Sequence, residues 1–227
     1  MQIVGYRNCE DIDVRFEDGT ILHNVQYGNF KRGAIKNPNV HDYCGTTIHG
    51  VYEDTREYHV WKGLLARTLN EEFKQKHKTY LNCTICEEWL NYNKFKKWYN
   101  DNEYEIGELL ELDKDLKFIH NKLYSSEKCL LLPKTINTTL GFVNDKKSKL
   151  PIGVTRSGNY YQARIHKFGK SISIGYYNTP ENAFEKYKKE KEIYWRELID
   201  YYTGKIPNYI IEYMKHYNIS ERINYEL

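Results

Sequence analysis

Apolar and polar residues alternate near the N-terminus of the chain, through Ile12, Val14 and Phe16, and the alternation resumes at Ile21 after the sequence EDGT. Successive side chains of a β-strand point to opposite faces, so a period of two indicates strands. Asp-Gly between two alternating runs is a strong hairpin signal, because both residues tolerate the backbone conformation of a tight turn. We therefore predict a small β module over residues 1–45.

The apolar positions that follow have a helical period instead. From Tyr58 onward they recur at steps of three and four residues. The positions concerned are Trp61, Leu64, Leu65, Thr68 and Leu69. A second helix is predicted in EEWLNYNKFKKWYNDN, and we expect its aromatic residues to lie in the core. Residues 39–57 are rich in Gly, His and Thr without a period, so we interpret them as a linker or loop.

Residues 110–137 combine strand and helix patterns with polar residues that suit a metal ion. An apolar strand in LLELD is followed by a loop around FIHNK, a second strand in KCLLLP and a helix that begins in KTINTTL. This is the order of the small ββα-metal fold. Asp113 ends the first strand and Asn137 lies in the helix, and both have oxygen ligands suited to a hard cation.

This segment resembles the HNH (His-Me finger) homing endonucleases of phages and introns, whose core reads Asp-His-any-Asp, then Asn, then a helical Asn. The resemblance implies an HNH-like nuclease domain over residues 46–150 that hydrolyses DNA phosphodiesters, by nicking or by double-strand cleavage. It also implies one Mg²⁺ or Mn²⁺ ion, with Asp113 and Asn137 as the metal ligands. The motif of this chain begins DKD, so Lys114 stands where the family has its histidine general base.

The lysine leaves three alternatives for the chemistry. Lys114 acts as the base if burial or an adjacent metal ion lowers its pKa by about two to three units. Alternatively, Lys114 stays charged and stabilises the transition state, while His120 or a metal-bound water is the base. The third alternative is an inactive nuclease fold kept for DNA binding. The candidate catalytic residues are Lys114, His120 and Asn121.

The strongest pattern covers residues 151–192. Two alternating runs, YYQARIHK and SISIGYY, follow a short strand that opens at Gly153, with turns at SGN and FGK. A helix comes next, because Thr179 suits the N-cap, Pro180 the first helical position and Glu181 the helix dipole. The pattern predicts a three-stranded sheet backed by a helix, with a further short helix near the C-terminus.

This unit resembles the DNA-binding domain of ethylene-response-factor (Apetala-type) proteins, which also occurs in phage homing endonucleases. The matching elements are Gly153-Val154, Ala163 with Ile165, Ile174-Gly175, Thr179 and Ala183. The resemblance implies a DNA-binding domain over residues 151–227, with its sheet in the major groove of double-stranded DNA and its helix behind the sheet.

Period-two geometry then predicts which side chains of the sheet face DNA. The residues predicted to face the helix are Ala163, Ile165, Ile172 and Ile174. The residues left for DNA are Tyr160, Gln162, Arg164, Ser171 and Ser173, with Arg156 and Lys170 at the turns. Arg and Gln are well suited to hydrogen-bond guanine and adenine edges.

The N-terminal module looks like short repeats of phage endonucleases that are thought to touch DNA, which implies Lys31 and Arg32 as phosphate contacts.

Charge and cysteine content narrow the class of protein. The formal net charge of +3 is too small to prove a polyanionic partner, but residues 141–200 hold twelve Lys and Arg against seven Asp and Glu. Five cysteines without a framework spacing favour reduced thiols, and CTIC has no second pair, so we do not expect structural zinc. No apolar run approaches the roughly 18 residues of a membrane helix, and the N-terminus lacks a signal-peptide pattern, so we expect no membrane partner.

These patterns predict an α+β protein, and the two resemblances imply a phage or mobile-element origin and action in the cytoplasm of an infected bacterium. The first hypothesis is a divalent-metal-dependent DNA endonuclease that its C-terminal sheet directs to a site. The second is a catalytically inactive DNA-binding protein with a regulatory or anti-defence role. The target sequence and the oligomeric state stay open at this point.

Overall fold

The computed structural model describes residues 1–141 and 150–221. Helices alternate with several small sheets along the chain, which confirms the predicted α+β class. The chain forms two compact units, Met1–Trp98 and Tyr99–Leu227. Residues 142–149, which belong to the predicted basic stretch and to the end of the predicted nuclease domain, lie outside the described residues, so the domain boundary at residue 150 stays a prediction. Among the described residues, no helix is both long and apolar enough to cross a membrane.

The first unit begins with a three-stranded antiparallel sheet in the order β1-β2-β3. Its elements are β1 (Gln2–Asn8), β2 (Asp11–Arg15), β3 (Ile21–Val25) and the short helix α1 (Tyr27–Lys31). The inward residues of the central strand, Ile12 and Val14, are 0% exposed. Gly19 has a φ of 87° in the predicted EDGT turn, a conformation that glycine adopts without strain. The hairpin prediction is therefore confirmed.

A second hairpin follows where the sequence suggested a linker. Strands β4 (Val40–Tyr43) and β5 (Thr46–His49) pair antiparallel across a two-residue turn. Cys44 and Gly45 form that turn with φ values of 54° and 79°. Two successive positive φ angles match the right-handed twist of the flanking strands, and Cys-Gly is an unusual pair for such a turn. The interpretation of residues 39–57 as a loop is thus wrong for the part that forms the hairpin.

The rest of the first unit is helical around an aromatic core, as predicted. Its elements are α2 (Arg56–Leu69), α3 (Glu71–Lys76), the 3-10 turns Lys78–Tyr80 and Glu87–Leu90, the short strand β6 (Thr84–Ile85) and the first part of α4 (Tyr92–Asn102), up to Trp98. Trp61, Trp89 and Phe95 are at most 1% exposed. The indole N–H of Trp61 donates to the carbonyl of Trp89 at 2.7 Å, which satisfies that buried donor.

The second unit contains the predicted strand, loop, strand and helix. Strands β7 (Leu110–Asp113) and β9 (Leu130–Pro133) pair antiparallel, with Leu110 opposite Pro133 and Asp113 opposite Leu130. The long loop between them includes the short strand β8 (Leu123–Tyr124), and α5 (Lys134–Leu140) starts directly after β9. We call β7, this loop, β9 and α5 the ββα segment.

The C-terminal part forms the predicted three-stranded sheet and helices. The elements are β10 (Val154–Ser157), β11 (Tyr160–Lys167), β12 (Lys170–Tyr177), α6 (Pro180–Tyr202) and α7 (Asn208–His216). The strands are antiparallel in the order β10-β11-β12. The Thr179 hydroxyl accepts the N–H of Asn182 at 3.2 Å, so the predicted N-cap is confirmed.

One hydrophobic core joins the ββα segment to the C-terminal sheet and helices. The segment contributes Leu116, Leu130, Leu132, Ile136 and Leu140; the sheet contributes Val154, Ala163 and Ile165. The helices contribute, among others, Phe184, Tyr194, Trp195, Leu198 and Ile210. Since these side chains are buried together, the ββα segment and the C-terminal sheet belong to one folded unit.

Candidate functional site

Asp113 ends β7 with its carboxylate turned into the protein. It is 5% exposed. Its Oδ2 accepts the backbone N–H groups of Asp115 at 2.9 Å and Leu116 at 2.8 Å. Burial, together with the nearby Asp115 carboxylate, raises the pKa of Asp113 to about 6, although the two N–H groups oppose the rise. The Asp113 carboxylate therefore holds the backbone of the loop that follows β7.

Asn121 holds the other side of the same loop. Its Nδ2 donates to the carbonyl of Lys114 at 3.0 Å and to that of Leu123 at 2.7 Å, and its Oδ1 accepts the N–H of Leu123 at 3.0 Å. The preceding residue, His120, has a φ of 63°, a left-handed conformation that few residues other than glycine adopt. Asn121 is thus placed to position the backbone of Lys114 rather than to act on a substrate.

The ammonium group of Lys114 is also held inside the loop. Lys114 is 7% exposed, and its Nζ donates to Asp115 Oδ1 at 2.7 Å. The carboxylate of the next residue thus holds the Lys114 side chain within the loop. Both predicted roles of Lys114, general base and stabilisation of negative charge, stay predictions.

Asn137 contacts a carboxylate that the sequence reasoning missed. Its Nδ2 donates to Glu111 Oε2 at 2.6 Å, which leaves its Oδ1 available as an acceptor. Glu111 lies two residues before Asp113, so both carboxylates start from the same side of β7. The period of two along LELD was the signal that could have identified Glu111.

These residues fit a divalent ion only if a substrate completes its coordination. In residues 1–141 and 150–221, no three His, Cys, Asp or Glu side chains form a group that could hold a metal ion. However, Mg²⁺ often binds through one or two carboxylates, with waters and substrate phosphates as the other ligands. Glu111 and Asn137 offer a carboxylate and an amide oxygen side by side, whereas one oxygen of the Asp113 carboxylate is already bound by the backbone.

The C-terminal sheet separates its side chains clearly between two faces. Ala163 is 0% and Ile165 is 1% exposed against the core. The residues between and beside them on β11, Gln162 and Arg164, point the other way, and Tyr160 on the same side is 52% exposed. We call this side the outer face. Ser171 and Ser173 of β12 are exposed on it, as predicted from the period of two.

A bulge in β12 changes the pattern beyond Ser173. Arg164 pairs with Ser173 but Ala163 pairs with Gly175, so Ile174 is an extra residue on its strand. The register then places Tyr176 opposite Gln162 on the outer face, where it is 60% exposed. Ile172 pairs with Ile165 and so lies on the helix side, as the period of two predicted, but it is 43% exposed near the end of the sheet.

The outer face contains a small hydrogen-bonded group. Gln162 Nε2 donates to Ser173 Oγ at 2.9 Å and to the hydroxyl of Tyr176 at 3.1 Å. Gln162 and Ser173 were predicted DNA contacts, and Tyr176 was not. A strict period of two would have turned Tyr176 toward the helix, so the bulge explains why it was missed.

The remaining predicted DNA contacts lie outside this group. Arg156 pairs with Tyr161, which packs against the core, so Arg156 lies on the helix side of the sheet. The Nε of Arg156 donates to the carbonyl of Gly158 at 3.3 Å. Lys170 is exposed at the end of the sheet, opposite Lys167. In the first unit, Lys31 and Arg32 are exposed beside each other. Arg32 Nη2 donates to Asn29 Oδ1 at 2.6 Å.

Comparison with known proteins adds no family to this picture: no family model matches the chain, and neither a curated protein nor a solved structure matches it.

Proposed function

We propose that this protein binds double-stranded DNA and that the outer face of the β10–β12 sheet lies in the major groove. The major groove is about 12 Å wide and admits an α-helix or a two-stranded ribbon, and it presents a different pattern of donors and acceptors for each base pair. The outer face of a small sheet is a surface of suitable shape, because β11 and β12 alone form such a ribbon.

The observation that carries this proposal is the separation of the two faces of β11. Ala163 and Ile165 on the helix side are buried, and the outer face holds an arginine, a glutamine, a serine and two tyrosines that reach solvent. These side chains form hydrogen bonds with bases and phosphates. Packing of α6 against the other face holds the strands in place. A rigid sheet loses little conformational entropy on binding.

The charge of the sheet agrees with a polyanionic partner. Residues 154–177 contain four Lys and Arg and no Asp or Glu. One of the four, Lys167, is paired with Glu190 and Glu197 of α6. The other three, Arg156, Arg164 and Lys170, are exposed, and Arg164 is the one that lies on the outer face. Contacts between such cations and phosphates release counterions, so binding should weaken steeply with salt.

The test is a titration of the intact chain against a fluorescent DNA duplex at several salt concentrations. We expect binding at roughly 50 mM salt that falls with a slope of about 0.9 for each phosphate contact. Lack of duplex binding at that salt concentration would refute the proposal.

A second candidate function is divalent-metal-dependent cleavage of the bound DNA. The specific observation in its favour is the ββα segment, in which Glu111 and Asn137 touch and Asp113 starts from the same strand face. Glu111 and Asn137 would hold a Mg²⁺ or Mn²⁺ ion together with a DNA phosphate, and Lys114 would supply positive charge nearby. Such an ion, when bound, stabilises negative charge on the phosphate and lowers the pKa of a bound water.

Cleavage is tested with supercoiled plasmid and either Mg²⁺ or Mn²⁺. If the candidate is correct, Asn137→Ala loses cleavage and keeps DNA affinity within a few-fold, because it removes one oxygen ligand and no DNA contact. Thr138→Ala is the matched control, since Thr138 is the exposed neighbour on α5. If the plasmid stays intact over a wide range of protein concentration, or if Asn137→Ala cleaves as well as wild type, this assignment is wrong. DNA binding without cleavage would favour the regulatory or anti-defence alternative.

A further inference from the structure

The N-terminal sheet carries a cluster of partly exposed aromatic rings. Tyr6 of β1 pairs with the buried Ile12 of β2, so its ring lies on the core side of the sheet. The rings of Tyr6 and Tyr27 meet edge to face with centroids 6.1 Å apart, and the ring of Phe30 is nearly parallel to that of Tyr27. Tyr6 is 61% exposed and Tyr27 is 38% exposed. We call Tyr6, Tyr27 and Phe30 the aromatic cluster.

Two exposed cations lie beside the aromatic cluster. Tyr27 begins α1, and its N–H donates to the carbonyl of Cys9 at 2.9 Å, which ties the helix to the turn between β1 and β2. Positions i and i+4 of a helix lie on one face, so Lys31 projects on the same side as Tyr27. Arg32 follows at the end of α1, where its Nη2 donates to Asn29 Oδ1. Both cations are exposed.

The charge around the aromatic cluster favours an anionic ligand. Residues 19–41 contain three Lys and Arg and no Asp or Glu. Asp11 and Asp13 of β2 are both paired with Arg7, at 2.6 Å. Glu10, in the turn between β1 and β2, is exposed and contributes an opposing negative charge. The three cations outweigh this charge, so we expect the surface around α1 to attract an anion.

A second exposed ring pair of the first unit has the opposite charge beside it. Tyr52 and Tyr58 also meet edge to face, with centroids 5.2 Å apart, and Tyr52 is 66% exposed. Residues 52–58 contain three acidic residues and one base, Arg56. The two pairs therefore have similar ring geometry and differ in the sign of the neighbouring charge.

Exposed rings beside cations suit an unpaired stretch of DNA. The bases of a single strand stack on aromatic side chains, and neighbouring cations contact its phosphates. We propose that Tyr6 and Tyr27 stack on bases of single-stranded DNA while Lys31 and Arg32 contact its phosphates. The choice of DNA over RNA rests on the proposed function of the same chain, whereas the stacking rests on the rings and charges of the first unit alone.

The experiment measures binding of short fluorescent oligonucleotides to the intact chain at roughly 50 mM salt, where phosphate contacts are strong. Oligothymidylate and an abasic strand of equal length have the same phosphates, but the abasic strand has no bases. We expect oligothymidylate to bind at least about fivefold more tightly, the lower limit for one stacked base. Equal binding of the two strands would overturn the inference, because phosphate contacts alone would then explain it.

Variants of the rings identify the surface that binds the bases. Tyr6→Leu and Tyr27→Leu keep an apolar side chain, and each should weaken oligothymidylate binding at least about fivefold and leave duplex binding unchanged. Tyr6→Phe keeps the ring and should bind as wild type does. Tyr52→Leu is the matched control, because it removes a similarly exposed ring from the other pair, and it should have no effect.

Three results with these variants would overturn the inference. The first is oligothymidylate binding that neither Tyr6→Leu nor Tyr27→Leu weakens. The second is an equal loss in Tyr52→Leu, because the charge beside the rings would then not matter. The third is an equal loss in Tyr6→Phe, because the hydroxyl group and not the ring would then be needed.

The phosphate contacts are tested through the salt dependence. Lys31→Ala should weaken binding of both strands and reduce the salt slope by about 0.7, the value for one phosphate of a single strand. Lys76→Ala is the control of equal charge, at an exposed position of α3, and should leave the slope unchanged. Equal slopes for the two variants would overturn the phosphate contact of Lys31.

Two further ligands separate this inference from its alternatives. RNA differs from DNA by its 2′-hydroxyl group, so tighter binding of oligouridylate than of oligodeoxyuridylate would overturn the choice of DNA. A duplex that does not bind would refute the proposed function, while binding of the single strand through Tyr6 and Tyr27 would still support this inference. Lack of single-strand binding at roughly 50 mM salt would overturn this inference and leave the proposed function in place.

Discussion

The two candidate sites of the second unit use similar polar residues in opposite ways. In the ββα segment, Asp113, Lys114 and Asn121 are 5%, 7% and 9% exposed, and their side chains bond mainly to neighbouring loop residues. On the outer face of the sheet, Arg164 and Tyr176 reach solvent, and Gln162 is held by two hydroxyl groups while its acceptor stays available. The first arrangement builds a loop, and the second presents groups to a ligand.

This difference teaches that residue type alone does not distinguish a binding residue from a structural one. A buried polar group must be hydrogen-bonded for the fold to be stable, so a substitution that removes its hydrogen bonds should reduce stability. An exposed polar group on a rigid sheet contributes little to stability, so its substitution should change binding instead. Each prediction below tests this contrast, from the largest expected effect to the smallest.

The largest effect is expected for Asn121→Ala. Three hydrogen bonds to the loop would be lost, and two carbonyl groups would lose a donor. We expect the free energy of unfolding to fall by about 3 kcal/mol. Urea denaturation followed by circular dichroism measures it, and Asn100→Ala is the control because Asn100 is exposed on α4. Equal stability of the two variants would contradict the structural role.

The second prediction concerns Asp113→Asn and pH. The pKa of Asp113 is raised in the folded state from 3.8 to about 6, so the folded protein binds this proton more tightly than the unfolded chain does. The ionised carboxylate therefore lowers stability fully above about pH 6, and this penalty disappears as the pH falls toward 3.8. A neutral asparagine can still accept the two backbone N–H groups.

We therefore expect Asp113→Asn to raise the free energy of unfolding at pH 8 by on the order of 2 kcal/mol, and to have little effect near pH 4. Thermal or urea unfolding of both proteins at the two pH values measures the difference. Asp200→Asn, at an exposed position of α6, should show no such pH dependence. A variant that is less stable than wild type at pH 8 would show that the carboxylate charge itself is needed.

The third prediction concerns Arg164 on the outer face of the sheet. Arg164→Ala should weaken DNA binding by about 1 to 3 kcal/mol and relax the preference at one base position, while stability changes by no more than about 0.5 kcal/mol. Fluorescence anisotropy with a selected duplex and with its single base-pair replacements measures both quantities. A loss of stability comparable to that of Asn121→Ala would remove the contrast between the two regions.

The smallest effect is expected for Lys170→Ala. Lys170 is exposed at the end of the sheet. We expect it to contact a DNA phosphate and not the edge of a base. The variant should bind all sequences somewhat more weakly and reduce the salt slope by about one unit. An unchanged salt slope would show that Lys170 makes no phosphate contact.

The regular parts of the fold could be predicted because their signals are local. The Asp-Gly turn, the helix start at Thr179 and the order of β7, β9 and α5 all follow from short patterns that tertiary contacts did not override. The β4–β5 hairpin was missed because its turn depends on Cys44 in a left-handed conformation, which its residue type does not favour.

The candidate site was harder to predict because its geometry depends on irregular backbone. Tyr176 joins Gln162 only through the bulge at Ile174, and a period of two contains no signal for that extra residue. Asn137 was predicted to share a metal ion with Asp113, yet its side-chain contact is with Glu111. The spacing of these residues along the chain was correct for the fold, but the choice between the two carboxylates depends on how α5 packs beside β7.

The most direct test of major-groove binding by the sheet compares two double variants of the intact chain in duplex binding. Gln162→Ala with Arg164→Ala changes the outer face, and Asn182→Ala with Arg196→Ala removes one amide and one positive charge from exposed positions of α6. Because the charge change is equal, general attraction to DNA is matched. We predict that the outer-face variant loses at least about 30-fold in affinity, in line with two base contacts, while the α6 variant changes by less than about threefold. Equal losses in the two variants, or a larger loss in the α6 variant, would contradict the placement of the sheet in the groove.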